Sequence, residues 1–398
     1  MGFCAARFTP LPLSSCCDTL RREHFSETSA SRGMRLSPDR KKGKQRAGTA
    51  AAQVASASVD LTRLLDTVAA FSRQTIGVVG DFVLDEFVSG EISRVSREAP
   101  VLILRHRHTE AYPGGAANAV NNLVALGAGV LPVGVVGEDE GGKKLLEQFR
   151  RKGVNTAGIL RVRDWVTTTK TRYLAGWTHT TEQQVLRVDR EPNGQVPESA
   201  QEVIFRKARQ VALKADAVIL SDYGFGAATP ALARKLKAKR VTLDSRYRLL
   251  EYANAGITAA TPNEPELEAA YHTQVATDKA KLEDLGGRLV RDLGLEALAV
   301  TRGKDGIVVF ERGAHPSGKD LLASYIPIYG SDAPVDVTGA GDTVIAVFTL
   351  ALAAGASHLE AAHLANYAGG IVVMKRRTAT VTSAELEAAL RREITAVR

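Results

Sequence analysis

From about residue 197 the sequence alternates helix and strand with little between them, and that alternation limits the folds open to it. A helical stretch (197–214) leads to Ala217-Val218-Ile219-Leu220, a short helix (229–238) leads to Val241-Thr242-Leu243-Asp244, and another strand lies near Ile257-Thr258-Ala259-Ala260. Helices over 264–272 and 277–292 precede Ala297-Leu298-Ala299-Val300-Thr301, and Gly306-Ile307-Val308-Val309-Phe310 follows as a hairpin strand. Short apolar strands separated by helices are covered on both faces, which predicts an α/β fold with a doubly wound, mostly parallel sheet. Ligands of such sheets collect at the carboxyl ends of the strands. The polar residues ending each strand are therefore the first candidates for function.

The strongest chemical signal comes late in the chain. Asp336-Val337-Thr338-Gly339-Ala340-Gly341-Asp342 is a Gly-rich turn that opens an apolar helix running to Gly355. Free N–H groups at a helix start, aided by the helix dipole, form an anion hole. Gly339, Ala340 and Gly341 supply the backbone of that hole, and Asp342 places a carboxylate inside it. Asp342 is a candidate base; by itself it could equally be a helix cap. Its place at the helix start predicts a lowered pKa.

The N-terminal half offers the complementary parts. Ile76-Gly77-Val78-Val79-Gly80-Asp81 reads as a strand ending in Gly-Asp, so Asp81 and Asp85 either meet a polar ligand or belong to a solvated turn. Pro113-Gly114-Gly115-Ala116-Ala117-Asn118 leads into a helix; Gly114 and Gly115 allow close approach to the backbone, and Asn118 can bond hydroxyls. Residues 86–112 and 166–190 alternate polar and apolar positions, as in a sheet with one wet face, and read as a β-hairpin or lid strands. There Lys170, Arg172 and Arg187 either reach an anionic substrate or form an ordinary charged strand face. His106 and His108 share a strand face but lack a third metal ligand. Gly137-Glu138-Asp139-Glu140-Gly141-Gly142-Lys143-Lys144 nearly spells a nucleotide-binding P-loop, but Lys144 stands where Ser or Thr is needed and three acids would face the phosphates.

Charge is concentrated at one end. Residues 1–50 hold ten Lys/Arg and four acids, which is +6 of the net +8. A basic binding face on the folded part is therefore not expected, nor is nucleic acid as its partner. Residues 1–58 lack periodicity and are expected to be a disordered extension, with the ordered domain over 59–398. All three cysteines (Cys4, Cys16, Cys17) lie in that extension, which leaves the folded part without disulfides and fits a reducing cytoplasm. No apolar run approaches the roughly 20 residues of a membrane span.

Three of these motifs, in this order, resemble a known family. Pro113–Asn118 is similar to the N-terminal Gly-Gly signature, Asn263-x-x-Glu266 to the magnesium-linked motif, and Asp336–Thr343 to the C-terminal signature of the ribokinase-like (PfkB) carbohydrate kinases. Within that family, Ser93–Val101, Pro113–Asn118, Leu220-Ser221-Asp222-Tyr223 and Asp336–Ile345 resemble the kinases of D-glycero-β-D-manno-heptose 7-phosphate, which serve ADP-heptose and lipopolysaccharide synthesis. The lid stretch Gly176-Trp177-Thr178-His179 departs from their pattern. Many such enzymes carry an adenylyltransferase half with a His-x-Gly-His motif; none of the eight histidines here forms one, so that half is expected to be absent.

The resemblance implies a ribokinase-like fold with a small β lid, and transfer of phosphate from ATP to the anomeric hydroxyl. Asp81, Asp85, Gly114, Gly115 and Asn118 would hold the sugar, and Arg94, Lys170 or Arg187 its phosphate. Thr301, Gly303, Gly306 and Asn366 would line the ATP site. Asn263 and Glu266 would hold Mg²⁺ through water, and Asp342 would be the base. A homodimer paired through the lid is expected, and a monovalent-cation requirement is open. A PfkB kinase for another sugar, or a non-catalytic sensor on the same fold, are the alternatives.

Overall fold

The computed structural model describes residues 53–55, 59–177, 182–312 and 321–397, all within the unit Ala50–Arg398. In the first half of the chain, β1 (Gln53–Ala55), α1 (Leu61–Ala69), β2 (Thr75–Gly80), β3 (Phe82–Val95) and β4 (Leu102–Gly115) are followed by α2 (Ala116–Ala125) and β5 (Gly129–Gly137). Next come α3 (Glu140–Arg151), β6 (Ile159–Val162), β7 (Thr168–Gly176) and β8 (Gln183–Arg190). The alternating half runs α4 (Glu198–Ala212), β9 (Ala217–Asp222), α5 (Pro230–Lys235), β10 (Val241–Ser245), β11 (Ala259–Ala260), α6 (Glu264–Tyr271), α7 (Lys279–Leu293) and β12 (Ala297–Thr301). It closes with β13 (Ile307–Arg312), β14 (Leu321–Ile326), α8 (Ala340–Ala353), α9 (His358–Val372) and α10 (Ser383–Val397).

Ten strands form one sheet in the order β1-β14-β13-β12-β11-β10-β9-β2-β5-β6. Every neighbouring pair is parallel except β12–β13 and β13–β14, so β13 alone runs against the rest. Side chains alternate across a strand, and here each face feeds its own core. Ile76, Val78, Ile219, Ala299 and Val309 pack with α1, α2, α8, α9 and α10 on one side. Val79, Leu220, Leu298, Val300 and Phe310 pack with α4 through α7 on the other. This is the doubly wound, mostly parallel sheet that the alternation predicts.

One boundary differs from the sequence reading. The strand Gln53–Ala55 lies inside the stretch read as an extension, yet it pairs in parallel with Leu322–Ser324. Part of that stretch thus covers the edge of β14, which would otherwise present an open row of backbone donors and acceptors.

The second sheet is the lid, in the order β4-β3-β7-β8. β3 pairs antiparallel with β4 and parallel with β7, and β7 pairs antiparallel with β8. β3 starts two residues after β2 ends and β4 runs directly into α2, so the lid is rooted at the carboxyl edge of the main sheet. Its far side is wet: every residue of β8 is exposed. Thr178 and His179 of the divergent lid stretch lie outside the described residues.

α8 differs from the surface helices. Asp342 through Leu352 are all buried, as expected for a helix that is apolar all round. It lies between the sheet and its neighbours α2 and α9. A buried polar contact ties it to the sheet, a 2.7 Å hydroxyl pair between Thr349 and Thr242 on β10. Burial of the whole helix fixes where its first turn, and hence Asp342, must sit.

Candidate active site

Two cavities meet at the turn before α8. The first, about 320 Å³, lies under the lid and is walled by Asp85, Gly115, Lys170, Tyr223, Arg246 and Asp342. The second, about 500 Å³, runs along the C-terminal half past Gly303, Gly306, Asn366 and Gly370. Asn263, Thr301, Val337, Ala340 and Gly341 belong to both walls. The glycine-rich turn is thus the partition between two ligand-sized spaces.

The turn is held open by its neighbours. Gly339 has φ +78°, and a Cβ there would overlap the Asn118 amide; only glycine fits both demands. Ala340 N–H is used on Val337 O at 3.3 Å. The N–H groups of Gly341 and Asp342, in the first turn of α8, have no backbone acceptor within the helix, and both residues line the first cavity.

Asp342 is 4% exposed. Its carboxylate accepts hydrogen bonds from Tyr223 Oη–H at 2.7 Å and from Asn118 Nδ2–H at 3.0 Å. Burial pushes its pKa up to about 7, although both hydrogen bonds pull the other way. This corrects the expectation of a lowered value. The dipole of one helix end is outweighed by burial and by the nearby Asp85 charge.

Several residues singled out from sequence lie elsewhere than expected. Asp81 does not face the cavity: its carboxylate accepts from the backbone N–H groups of Tyr223, Phe225 and Ala227 at 2.9, 3.0 and 2.9 Å. It staples the loop that carries Tyr223, and burial raises its pKa to about 6. Asn118 is likewise turned toward the protein, donating to Gly339 O at 3.2 Å as well as to Asp342, while Asn122 Nδ2–H donates to its Oδ1 at 3.1 Å. Gly114 lies behind Asp85, where a Cβ would overlap the Asp85 carboxylate. Arg94 is exposed on the distal part of β3, opposite Ile103. Arg187 is on exposed β8 and pairs with Asp189 at 2.9 Å. The last two miss the cavity because a strand face that alternates in sequence says nothing about which end of the strand reaches the site.

The remaining candidates are brought together. Asp85 lines the cavity under the lid, accepting from Arg172 at 2.6 Å and from Thr378 Oγ1–H at 3.2 Å. Gly115 and Lys170 share that wall. Lys170 sits 5.4 Å from the centre of the Tyr223 ring; burial first, and the Arg246 charge second, push its ammonium below the ordinary value. Thr301, Gly303, Gly306 and Asn366 line the second cavity, where Asn366 Nδ2–H also donates to Pro327 O at 2.8 Å.

Asn263 and Glu266 form a reciprocal capping box at the start of α6. Glu266 N–H donates to Asn263 Oδ1 at 2.8 Å, and Asn263 N–H to Glu266 Oε2 at 2.9 Å. Both also line the first cavity, beside Asp244 at the end of β10. Burial, and then the charge of Glu266, raise Asp244 well above the usual carboxylate range; burial chiefly raises Glu266 too. Thr261 Oγ1 on the same wall is buried without a hydrogen-bond partner among the described residues. Among the described residues no three acidic, His or Cys side chains converge closely enough to cage a metal. Two crowded carboxylates and an orphan hydroxyl are hard oxygen donors that suit a hydrated Mg²⁺ held through its waters.

Sequence reasoning missed Asp244, Arg246 and the role of Tyr223. The rule that ligands gather at strand carboxyl ends pointed to β9 and β10 as well as β2. The carboxyl end of β10 carries Asp244, the loop after it carries Arg246, and the loop after β9 carries Tyr223. Their convergence on Asp342 depends on strand order, which sequence spacing does not reveal.

The chain is 40% identical over 330 residues to the bifunctional protein HldE of Desulfatibacillum aliphaticivorans, covering 81% of this chain and 64% of that one. It is 40% identical over 331 residues to HldE of Mesorhizobium japonicum, covering 81% and 63%. It thus spans just under two thirds of the length of these curated relatives. Its fold is similar to that of Arabidopsis thaliana ribokinase complexed with ribose and ATP (TM-score 0.59, 19% identity, 80% of this chain and 99% of that one). It is also similar to that of Escherichia coli phosphofructokinase-2 in complex with substrates and products (TM-score 0.63, 17% identity, 80% and 99%). Matched over residues 79–385 as a pfkB family carbohydrate kinase, the chain belongs to that family.

Proposed function

We propose that this protein transfers the γ-phosphoryl group of ATP to the anomeric hydroxyl of D-glycero-β-D-manno-heptose 7-phosphate. The observation that carries the reaction type is the partition: a buried carboxylate and free helix-start N–H groups stand where two ligand-sized cavities join. The sugar is the reading favoured by the heptose-kinase motifs and by the HldE relatives.

Asp342 Oδ accepts the proton of the attacking hydroxyl. Tyr223 and Asn118 aim the carboxylate, and a pKa near neutrality makes it a usable base at working pH. In a loose phosphoryl-transfer transition state, aim matters more than early deprotonation. The N–H groups of Gly341 and Asp342 stabilise the charge building on the transferring phosphoryl group. Asp85 and the Gly115 backbone face the sugar hydroxyls. Lys170 and Arg246, which line the sugar cavity and make no ion pair with a carboxylate among the described residues, hold the distal phosphate. Arg172 is less suited to that role because Asp85 already neutralises it. Gly303, Gly306 and Asn366 bound the nucleotide space. Bound Mg²⁺ would screen the phosphate charge, with Asp244, Asn263 and Glu266 ordering its waters.

The test is ADP release measured across a panel of sugars and sugar phosphates, in potassium and in choline buffers. Turnover on heptose 7-phosphate at least tenfold above that on ribose, fructose 6-phosphate and unphosphorylated heptose supports the reading. Preference for another sugar would replace the substrate and keep the chemistry.

A cytoplasmic homodimer joined through the lids completes the proposal. Among the described residues no helix is long and apolar enough to cross a membrane. Val95, Val101, Leu102, Val185, Leu186 and Val188 are exposed on the lid strands and their connections, an apolar area that pairing would cover. Light scattering of the wild type and of Leu186→Asp separates dimer from monomer.

A further inference from the structure

Arg377 lies in the connection between α9 and α10, and its backbone is strained: φ is +68°, in the left-handed region that disfavours a bulky side chain. Strain of this kind persists where surroundings over-determine it, and here they do so from two sides. The Arg377 N–H donates to Asp336 Oδ2 at 2.9 Å, and the other oxygen of Asp336 accepts from Thr338 N–H at 2.9 Å. Arg377 thus grips the first residues of the turn that carries the partition. The guanidinium reaches the opposite way, into the lid. Nε–H donates to Glu110 on β4 at 3.1 Å, while Nη2–H donates to Ser89 on β3 and to Glu182 just before β8, each at 3.1 Å. Ser89 Oγ–H closes the triangle onto Glu182 at 3.2 Å. The guanidinium also lies 5.1 Å from the centre of the Phe87 ring, with Arg172 5.3 Å from the same ring. The neighbouring Thr378 bonds Asp85 at 3.2 Å, inside the sugar cavity.

We infer that Arg377 is a positioning residue that latches the lid to the catalytic turn, so that the lid's seating over the sugar and the shape of the anion hole are set by one side chain and its own backbone. This rests on the kinase reading above for its kinetic consequence, but the latch itself is a property of the uncomplexed protein. The side chain is only 15% exposed, so its bonds are shielded, and three separate lid segments depend on it.

Arg377→Gly is the informative variant, because glycine relieves the positive φ while deleting the side chain. Arg377→Lys keeps the charge but cannot span three acceptors. Hydrogen exchange on the full chain reads the latch directly. In Arg377→Gly, amides of 86–95, 102–110 and 183–190 should exchange about tenfold faster, while β9, β10 and α8 stay protected and Tm moves by no more than about 3 °C. With the sugar phosphate found by the substrate panel, KM for the sugar should rise about tenfold and kcat should fall, with KM for ATP changed less than about threefold; Arg377→Lys should lie between. Unchanged lid exchange would overturn the inference. So would a uniform rise over lid and core together, which would mark Arg377 as merely structural. If no sugar phosphate reacts, the substrate reading fails, and the exchange pattern still decides the latch.

Discussion

Tyr223 Oη–H donates to Asp342 Oδ1 at 2.7 Å, across 119 residues of sequence. The hydrogen bond lowers the carboxylate's pKa against the larger effect of burial. Removing it by Tyr223→Phe should raise that pKa above about 7. Activity at pH 7 should drop about tenfold and recover toward pH 9, read as an alkaline shift of the acidic limb of the kcat/KM profile. An unshifted profile would mean that Tyr223 only packs.

Asp342 itself gives a signed pH dependence. Only its ionised form accepts a proton, so activity should rise with pH and pass half-maximum near the folded value of about 7. Stability should run the other way. The folded pKa lies above the ordinary 3.8, so ionisation is harder in the fold than in the unfolded chain. The group costs nothing below the ordinary carboxylate range, and stability is lost progressively as pH rises toward and through about 7. Asp342→Asn should therefore lose at least about 10³-fold in kcat, and its Tm relative to wild type should climb between pH 5 and pH 8. A Tm difference that is flat with pH would show the carboxylate to be unperturbed.

Lys170→Ala and Arg246→Ala should each raise KM for the sugar phosphate by about 10–100-fold, the loss of a charge-assisted contact worth about 1.5–3 kcal/mol. KM for ATP should hardly change. Arg94→Ala should be silent, since that side chain is exposed on the distal part of the lid. If Arg94→Ala instead matches the first two, the phosphate lies at the other end of the sheet.

Asp222 carries the loops that present Tyr223 and Arg246. It is 1% exposed and accepts from Arg248 Nε–H at 3.1 Å, Tyr252 Oη–H at 2.9 Å, Ser245 Oγ–H at 3.2 Å and Gly224 N–H at 3.0 Å. Asp222→Ala leaves the half-buried Arg248 guanidinium and the buried Tyr252 hydroxyl without their acceptor and should cost about 1–3 kcal/mol by urea denaturation. Activity per folded molecule should fall as well, because both loops loosen.

The sheet was legible in the sequence because each strand of the alternating half carries its own apolar run between helices. The turn at Asp336–Asp342 was legible because it follows, in order, the Gly114-Gly115 loop and the Asn263/Glu266 pair; alone it could equally have been a helix cap. Asp81 and Asn118 stood out in sequence as candidate ligands, and in the structure both are bonded to the protein itself. A buried polar residue looks the same in sequence whether it faces a substrate or the backbone of a distant loop. Asp81 answers to residues about 145 positions away, and Asn118 to a partner 224 away. Arg377 was invisible for a different reason: nothing in Arg-Arg-Thr announces a positive φ, and its three acceptors come from separate lid segments.

The partition has a consequence for inhibition. Asn263, Thr301, Val337, Ala340 and Gly341 wall both cavities, so the two spaces lie side by side across a single shared wall. A single molecule with a sugar-like end and an adenosine-like end joined by a short polyphosphate would occupy both at once. Its second end would bind at an effective concentration in the millimolar range rather than from bulk solution. Such a compound should compete against either substrate alone, and its affinity should exceed that of each half by orders of magnitude.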